Sequence, residues 1–129
     1  RVMSTLIWQA LHGLPMTIYG TGTQTRSFCY VDDLVVGLMS MGLSNHPGPI
    51  NLGNPLEVSI LELASLIKSV LGSNSEVVHQ DLPVDDPTNR NPDISLANKV
   101  LGWNPSEGLT SGIQKTGDWL IRLKNEKST

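Results

Sequence analysis

Ser59 and Glu62 stand three residues apart, directly ahead of an apolar ladder that Gly72 closes. That S-x-x-E spacing satisfies free N–H groups at a helix start, and a glycine readily takes the left-handed turn at a helix end. Between them, Ile60, Leu63, Ala64, Ile67 and Leu71 fall on one face. A helix with a single apolar face must bury it against another layer. Met3, Leu6, Ile7, Ala10 and Leu11 build a second such face, which Gly13 and Pro15 end. Alternation over Met16–Tyr19 predicts a short strand, "EVVHQDL" a further one, and "INLGN" a buried one ending in a turn.

Three more helices are expected. Asp32 or Asp33 caps the first, whose apolar positions include Leu34, Val35, Leu38 and Met39. A short one runs from Ser95 to Gly102-Trp103. The last starts near Thr110, turns Ile113, Leu120 and Leu123 inward, and gives way to a frayed tail over residues 124–129. Alternating strands and helices point to α/β or α+β packing. With so few strands, the helices are expected to cover a sheet made by another segment. The apolar surface left over calls for a partner chain, a further N-terminal segment or an oligomer. The chain opens at Arg1, without an initiator methionine and already in helical pattern, so it reads as a piece of something longer.

Totals narrow the function. The 129 residues suit one modest domain. A net charge of −3 with scattered Lys and Arg argues against nucleic acid and anionic lipid as partners. No apolar run approaches the ~20 residues of a membrane helix. Cys29 is the only cysteine and lies in an apolar run, which favours an inert buried thiol. His12, His46 and His79 are too dispersed for a metal site. There is no Ser/His/Asp set, and Tyr19 and Tyr30 are followed four residues on by Thr23 and Leu34, not lysine. Trp8, Trp103 and Trp119 read as core or interface anchors.

The chemistry lies in two loops. In "YGTGTQTRSF", Gly20 and Gly22 suggest a dinucleotide turn, but Thr25 stands where G-x-G-x-x-G needs its third glycine. What remains is a tight turn followed by Gln24 and Arg26. Arg26 suits bidentate contact with phosphate, or it pairs with Asp32 or Asp33. The second loop, "PVDDPTNRNPD", carries Arg90 three residues before Asp93. A guanidinium there can take a phosphate or carboxylate while the carboxylate accepts ribose hydroxyls, or the two form a local pair on a solvated loop. Four arginines serve the whole chain, so two of them on separate loops make a diphosphate site attractive.

Taken in order, "RVMSTLIWQALHGLPMTIYGTGTQTRSFCYVDDLVVGL", "INLGNP…SILELA", "DDPTNRNPDI" and "LGWNP" resemble the C-terminal part of UDP-glucuronate decarboxylases. These UDP-xylose synthases belong to the extended short-chain dehydrogenase/reductases. The resemblance implies an α/β fold: the C-terminal, substrate-binding part of an extended Rossmann-type fold, without the N-terminal cofactor-binding half. Residues 1–129 would form one sugar-nucleotide-binding lobe. It implies NAD as cofactor of the parent, a UDP-sugar substrate, a homodimeric parent, and a cytoplasmic or, in a eukaryote, Golgi location. The family's reaction oxidises the sugar at C4 with NAD, loses CO2 from the resulting β-keto acid, and returns the hydride to give UDP-xylose.

Carried over by position, the resemblance puts Thr17, Ile18, Tyr19 and Ile60 beside the uracil. It puts Gln24 and Arg26 at the diphosphate with Phe28 beside them. Arg90 falls at the phosphates and sugar carboxylate, Asp93 at the ribose, and Arg1 in the substrate region. Catalytic residues are expected outside this chain, which alone would be inactive. A 4,6-dehydratase, a 4-epimerase or a non-catalytic UDP-binding fragment are the alternatives. Two departures stand out. "RVMSTL" replaces the usual "RVVSNF" at Thr5 and Leu6, and "NRNPD" replaces the commoner "KRKPD" around Arg90.

Overall fold

The structure is a computed structural model that describes residues 1–128. In chain order it comprises α1 (Val2–Leu11), β1 (Met16–Tyr19), β2 (Thr25–Ser27), α2 (Val31–Leu43), β3 (Glu57–Ser59) and α3 (Ile60–Leu71). β4 (Val77–Gln80), α4 (Ser95–Leu101) and α5 (Leu109–Lys127) follow. α3 begins as its capping residues dictate: the Glu62 N–H donates to Ser59 Oγ at 3.1 Å. It ends at Gly72, whose φ of 63° is the left-handed cap.

The apolar faces read from the sequence meet in one core. Ile60, Leu63, Ala64 and Ile67 of α3 pack with Leu6, Ile7 and Ala10 of α1, Met16 and Ile18 of β1, and Ile113 of α5. Each fully buried Leu or Ile there contributes on the order of 1.5–3 kcal/mol by leaving water. β1 runs parallel to β4, with Met16 opposite Val77 and Tyr19 opposite Gln80. β2 pairs antiparallel with β3, Arg26 standing opposite Val58. Neither β2 nor β3 was expected. Each is three residues long, too short to display an alternating pattern.

A smaller cluster forms from Ile50, Ile94, Ala97 and Trp103, with Leu52 and Met41 against it. This is where "INLGN" goes. It is not the expected strand, because among the described residues no strand lies alongside it, and Ile50 and Leu52 pack on the Trp103 cluster instead. Gly37 lets α2 come close, since a Cβ there would lie 2.9 Å from Leu52 Cδ1 and 3.1 Å from Trp103 Cε2. Of the tryptophans only Trp103 is buried; Trp8 and Trp119 are exposed.

α2 departs from expectation at its start. Its N-cap is Tyr30, and neither aspartate caps it with a side chain. Asp33 sits inside the first turn, where its carboxylate accepts from the Ser106 N–H (3.0 Å), the Ser106 hydroxyl (2.7 Å) and the Glu107 N–H (2.8 Å). Trp103 Nε1 donates to the Asp33 carbonyl at 2.9 Å, so residues 103–107 are fastened to α2. Burial works against the Asp33 charge, but these hydrogen bonds, with Lys115 nearby, hold its carboxyl below the usual range. Val35, Leu38 and Met39, apolar positions read from the sequence, point to solvent, while Asp33 and Gly37 are the buried positions of this helix. The tail expected to fray from Lys124 is helical through Lys127, because α5 carries on to that residue; Thr129 lies outside the described residues.

Cys29 is partly buried, and burial first, then the Asp33 charge, pushes its thiol up, away from the reactive thiolate. Among the described residues, no helix is long and apolar enough to cross a membrane. Nor does any group of three or more His, Cys, Asp or Glu side chains gather there as metal ligands would.

Candidate functional site

A cavity of ≈ 570 Å³ opens between α1, the end of β1, β2, the start of α3 and the loop 83–90. That size suits a small-molecule ligand. Eight residues singled out from the sequence line it: Arg1, Thr17, Tyr19, Gln24, Arg26, Phe28, Ile60 and Arg90. Three guanidinium groups, from Arg1, Arg26 and Arg90, face one carboxylate, from Asp86. The balance is positive and calls for an anion.

Two expected residues lie elsewhere. The Ile18 side chain is 1% exposed and belongs to the core. Asp93 does not line the cavity; its Oδ1 accepts from the Ser95 N–H at 2.9 Å, next to the start of α4. Hydrogen bonds from Ser95 hold that carboxyl below its usual range. Val2, Thr5, Leu6, Ser27, Pro83 and Asp86 line the cavity and were not singled out as contacts. Val2, Thr5 and Leu6 follow i, i+3, i+4 on α1, so the helical period carried that signal. Nothing local marks Ser27, which faces the cavity only because β2 exists.

The glycine loop between β1 and β2 also has a part in the scaffold that the sequence did not mark. Gly20 and Gly22 have φ of 63° and 78°. A Cβ on Gly22 would lie 3.0 Å from Ile18 Cγ2 and 3.2 Å from Leu61 Cβ, and one on Gly20 would meet Leu82 at 3.4 Å. Their close approaches within the chain are to Ile18, Leu61 and Leu82. The Gly22 carbonyl accepts from the Leu61 N–H at 3.0 Å, and the Gln24 carbonyl from the Ile60 N–H at 3.1 Å. With Ser59 Oγ on the Glu62 N–H, the first amides of α3 are all engaged. This turn therefore cannot cradle a dinucleotide's pyrophosphate on a helix start, which is the arrangement NAD needs. This turn is not the residue set that would hold that cofactor.

Gln24 is a strut as well: 9% exposed, it donates from Nε2 to the Tyr19 carbonyl at 3.0 Å. Thr17 is held by Gln9, which donates to its hydroxyl and accepts from its N–H, both at 3.0 Å. The charged groups are arranged differently. Arg26 pairs with Asp86 at 2.9 Å, not with Asp32 or Asp33, and its Nη1 donates to the Thr25 carbonyl at 2.7 Å. The Ser27 hydroxyl donates to the Arg90 carbonyl at 3.2 Å, anchoring the backbone of the second arginine loop against β2. Among the described residues, the Arg90 side chain forms no ion pair, with Asp93 or any other group. The chain thus presents an anion pocket with one guanidinium, that of Arg26, braced by a carboxylate and two, those of Arg1 and Arg90, without an ion pair among the described residues.

Comparison with known proteins agrees with this architecture. Residues 1–53 match the NAD dependent epimerase/dehydratase family. The chain has the α/β fold of the solved epimerases of that type, over about 40% of their length. A UDP-glucuronic acid decarboxylase 1 from Danio rerio is 49% identical over 122 residues, covering 95% of this chain and 29% of that protein. A UDP-glucuronic acid decarboxylase 3 from Arabidopsis thaliana is 47% identical over 124 residues, covering 95% of this chain and 36% of that protein. The chain therefore spans about a third of the length of the curated relatives it matches. Among solved structures, a UDP-glucuronic acid 4-epimerase from Bacillus cereus, in complex with UDP-glucuronic acid and NAD, superposes with a TM-score of 0.88 at 29% identity. That match takes in 95% of this chain and 40% of the epimerase.

Proposed function

We propose that this chain is the sugar-nucleotide-binding portion of an NAD-dependent UDP-glucuronate decarboxylase, which releases CO2 and forms UDP-xylose. The observation that carries the reading is that Arg26 and Arg90, from loops more than sixty residues apart, line one cavity. The decarboxylase relatives supply the substrate class. Arg26 and Arg90 hold the diphosphate, and Arg90, which has no carboxylate partner among the described residues, also meets the sugar carboxylate. Thr17, Tyr19 and Ile60 form the wall against the uracil, with Phe28 beside the diphosphate and Arg1 at the substrate end. Gln24 holds the Tyr19 backbone in place. NAD and the proton-transferring groups are assigned to residues beyond this chain, which would be inactive alone and active in a homodimeric parent.

Titration calorimetry of the full-length protein with UDP tests the diphosphate assignment. Arg26→Ala removes a charge-assisted contact and is expected to weaken UDP by about 1.5–3 kcal/mol, roughly 10- to 150-fold. Unchanged affinity would sink the assignment. The likeness to a UDP-glucuronic acid 4-epimerase favours a second reading, inversion at C4 without loss of carbon. Incubation with UDP-glucuronate separates the two: release of CO2 supports decarboxylation, and a C4-inverted product with all carbons retained supports epimerisation.

A further inference from the structure

Asp86 is the lone carboxylate on a cavity wall that otherwise carries guanidinium groups. An acid there is unfavourable beside an anionic ligand unless it serves one of the arginines. Its Oδ1 accepts from Arg26 Nη2 at 2.9 Å, with the two side chains 29% and 16% exposed. The other end of the guanidinium is fixed too, Nη1 donating to the Thr25 carbonyl at 2.7 Å. Nη1 also donates to the Thr88 carbonyl at 3.5 Å. A guanidinium has five N–H donors in a rigid plane, so these three contacts set its orientation and leave Nε–H and one Nη2 hydrogen for a ligand.

The same loop carries the second arginine. The Thr25 N–H donates to the Thr88 carbonyl at 3.0 Å, and the Ser27 hydroxyl donates to the Arg90 carbonyl. β2 thus grips the loop by its backbone at 88 and 90, while Asp86 grips β2 back through Arg26.

We infer that Asp86 is a positioning residue for the anion site: it holds the Arg26 guanidinium in its ligand-facing orientation without touching the ligand. A long side chain that is already held loses less freedom when it takes a diphosphate than one that swings freely. Asp86 acts through Arg26, so its effect must vanish when Arg26 is absent. The inference rests on the diphosphate reading above.

The test is a double-mutant cycle in the full-length protein, read by UDP affinity. Asp86→Ala is expected to weaken UDP about tenfold in the wild-type background and less than about twofold when Arg26 is already alanine. Asp86→Glu, which restores the carboxylate, is expected to recover most of the loss. If Asp86→Ala destabilises the fold, the isosteric Asp86→Asn carries the same comparison. Equal losses in both backgrounds would overturn the inference, since a general loop effect does not need Arg26. Tighter UDP binding by Asp86→Ala would overturn it too, by showing that the carboxylate repels the ligand. Failure of the underlying reading looks different: Arg26→Ala alone would then leave UDP affinity unchanged.

Discussion

At the scale of single residues, Asp33 shows how far a side chain's role can lie from its neighbours in sequence. Its carboxylate accepts three hydrogen bonds from residues 106 and 107, more than seventy positions away. Asp33→Ala strands those donors and is expected to destabilise the protein by about 2–3 kcal/mol, measured as a shift in denaturant midpoint at neutral pH. The pH dependence has a definite sign. Asp33 has a lowered carboxyl pKa in the folded state, so its contribution is present above the ordinary carboxylate value of about 4. It is lost as pH falls through the lower folded value, so the gap between wild type and Asp33→Ala should narrow on acidification below about pH 4. The sequence marked Arg26 and Arg90, which line one cavity, as candidate anion ligands but not their partners. Spacing offered Asp32, Asp33 and Asp93 as partners because they are near in the chain, whereas Arg26 pairs sixty residues away with Asp86 and Arg90 with no carboxylate among those described.

At the scale of elements, α3 was fully legible because its start, its buried face and its stop are all local signals. The opposite holds for β2 and β3. Three residues give no period, and the pairing that makes them strands joins positions about thirty residues apart. The cavity wall at Ser27 was hidden for that reason. The glycine loop was legible as a turn, and its failure as a dinucleotide fingerprint could be read from Thr25; what it packs against could not. Gly22→Ala places a Cβ at φ 78° against Ile18 and Leu61. The expected loss is about 1–3 kcal/mol in thermal or chemical unfolding, together with weaker UDP binding in the full-length protein because β1 and β2 are displaced. An alanine variant of unchanged stability would show that the loop yields freely.

At the scale of the whole molecule, the outward face of α2 is the main unfinished surface. Val35, Leu38 and Met39, at i, i+3 and i+4, are 46%, 55% and 64% exposed. Apolar helical faces of this kind invite association. Residues 1–129 expressed alone are expected to self-associate in sedimentation experiments, and Leu38→Glu combined with Met39→Lys to reduce that association. A single monomeric species for the unmodified chain would refute this. The sequence had marked this face as apolar. The pattern gives the stripe but not what lies across from it, and here the described residues put nothing there.

One consequence reaches past this chain. The carbonyls of Gly22 and Gln24 are committed to the start of α3, so the turn beside the cavity is a fixture of the scaffold. What the pocket accepts is then written in a few side chains at its rim, each replaceable by point substitution without disturbing the turn. A frame built this way can diversify its chemistry in small evolutionary steps.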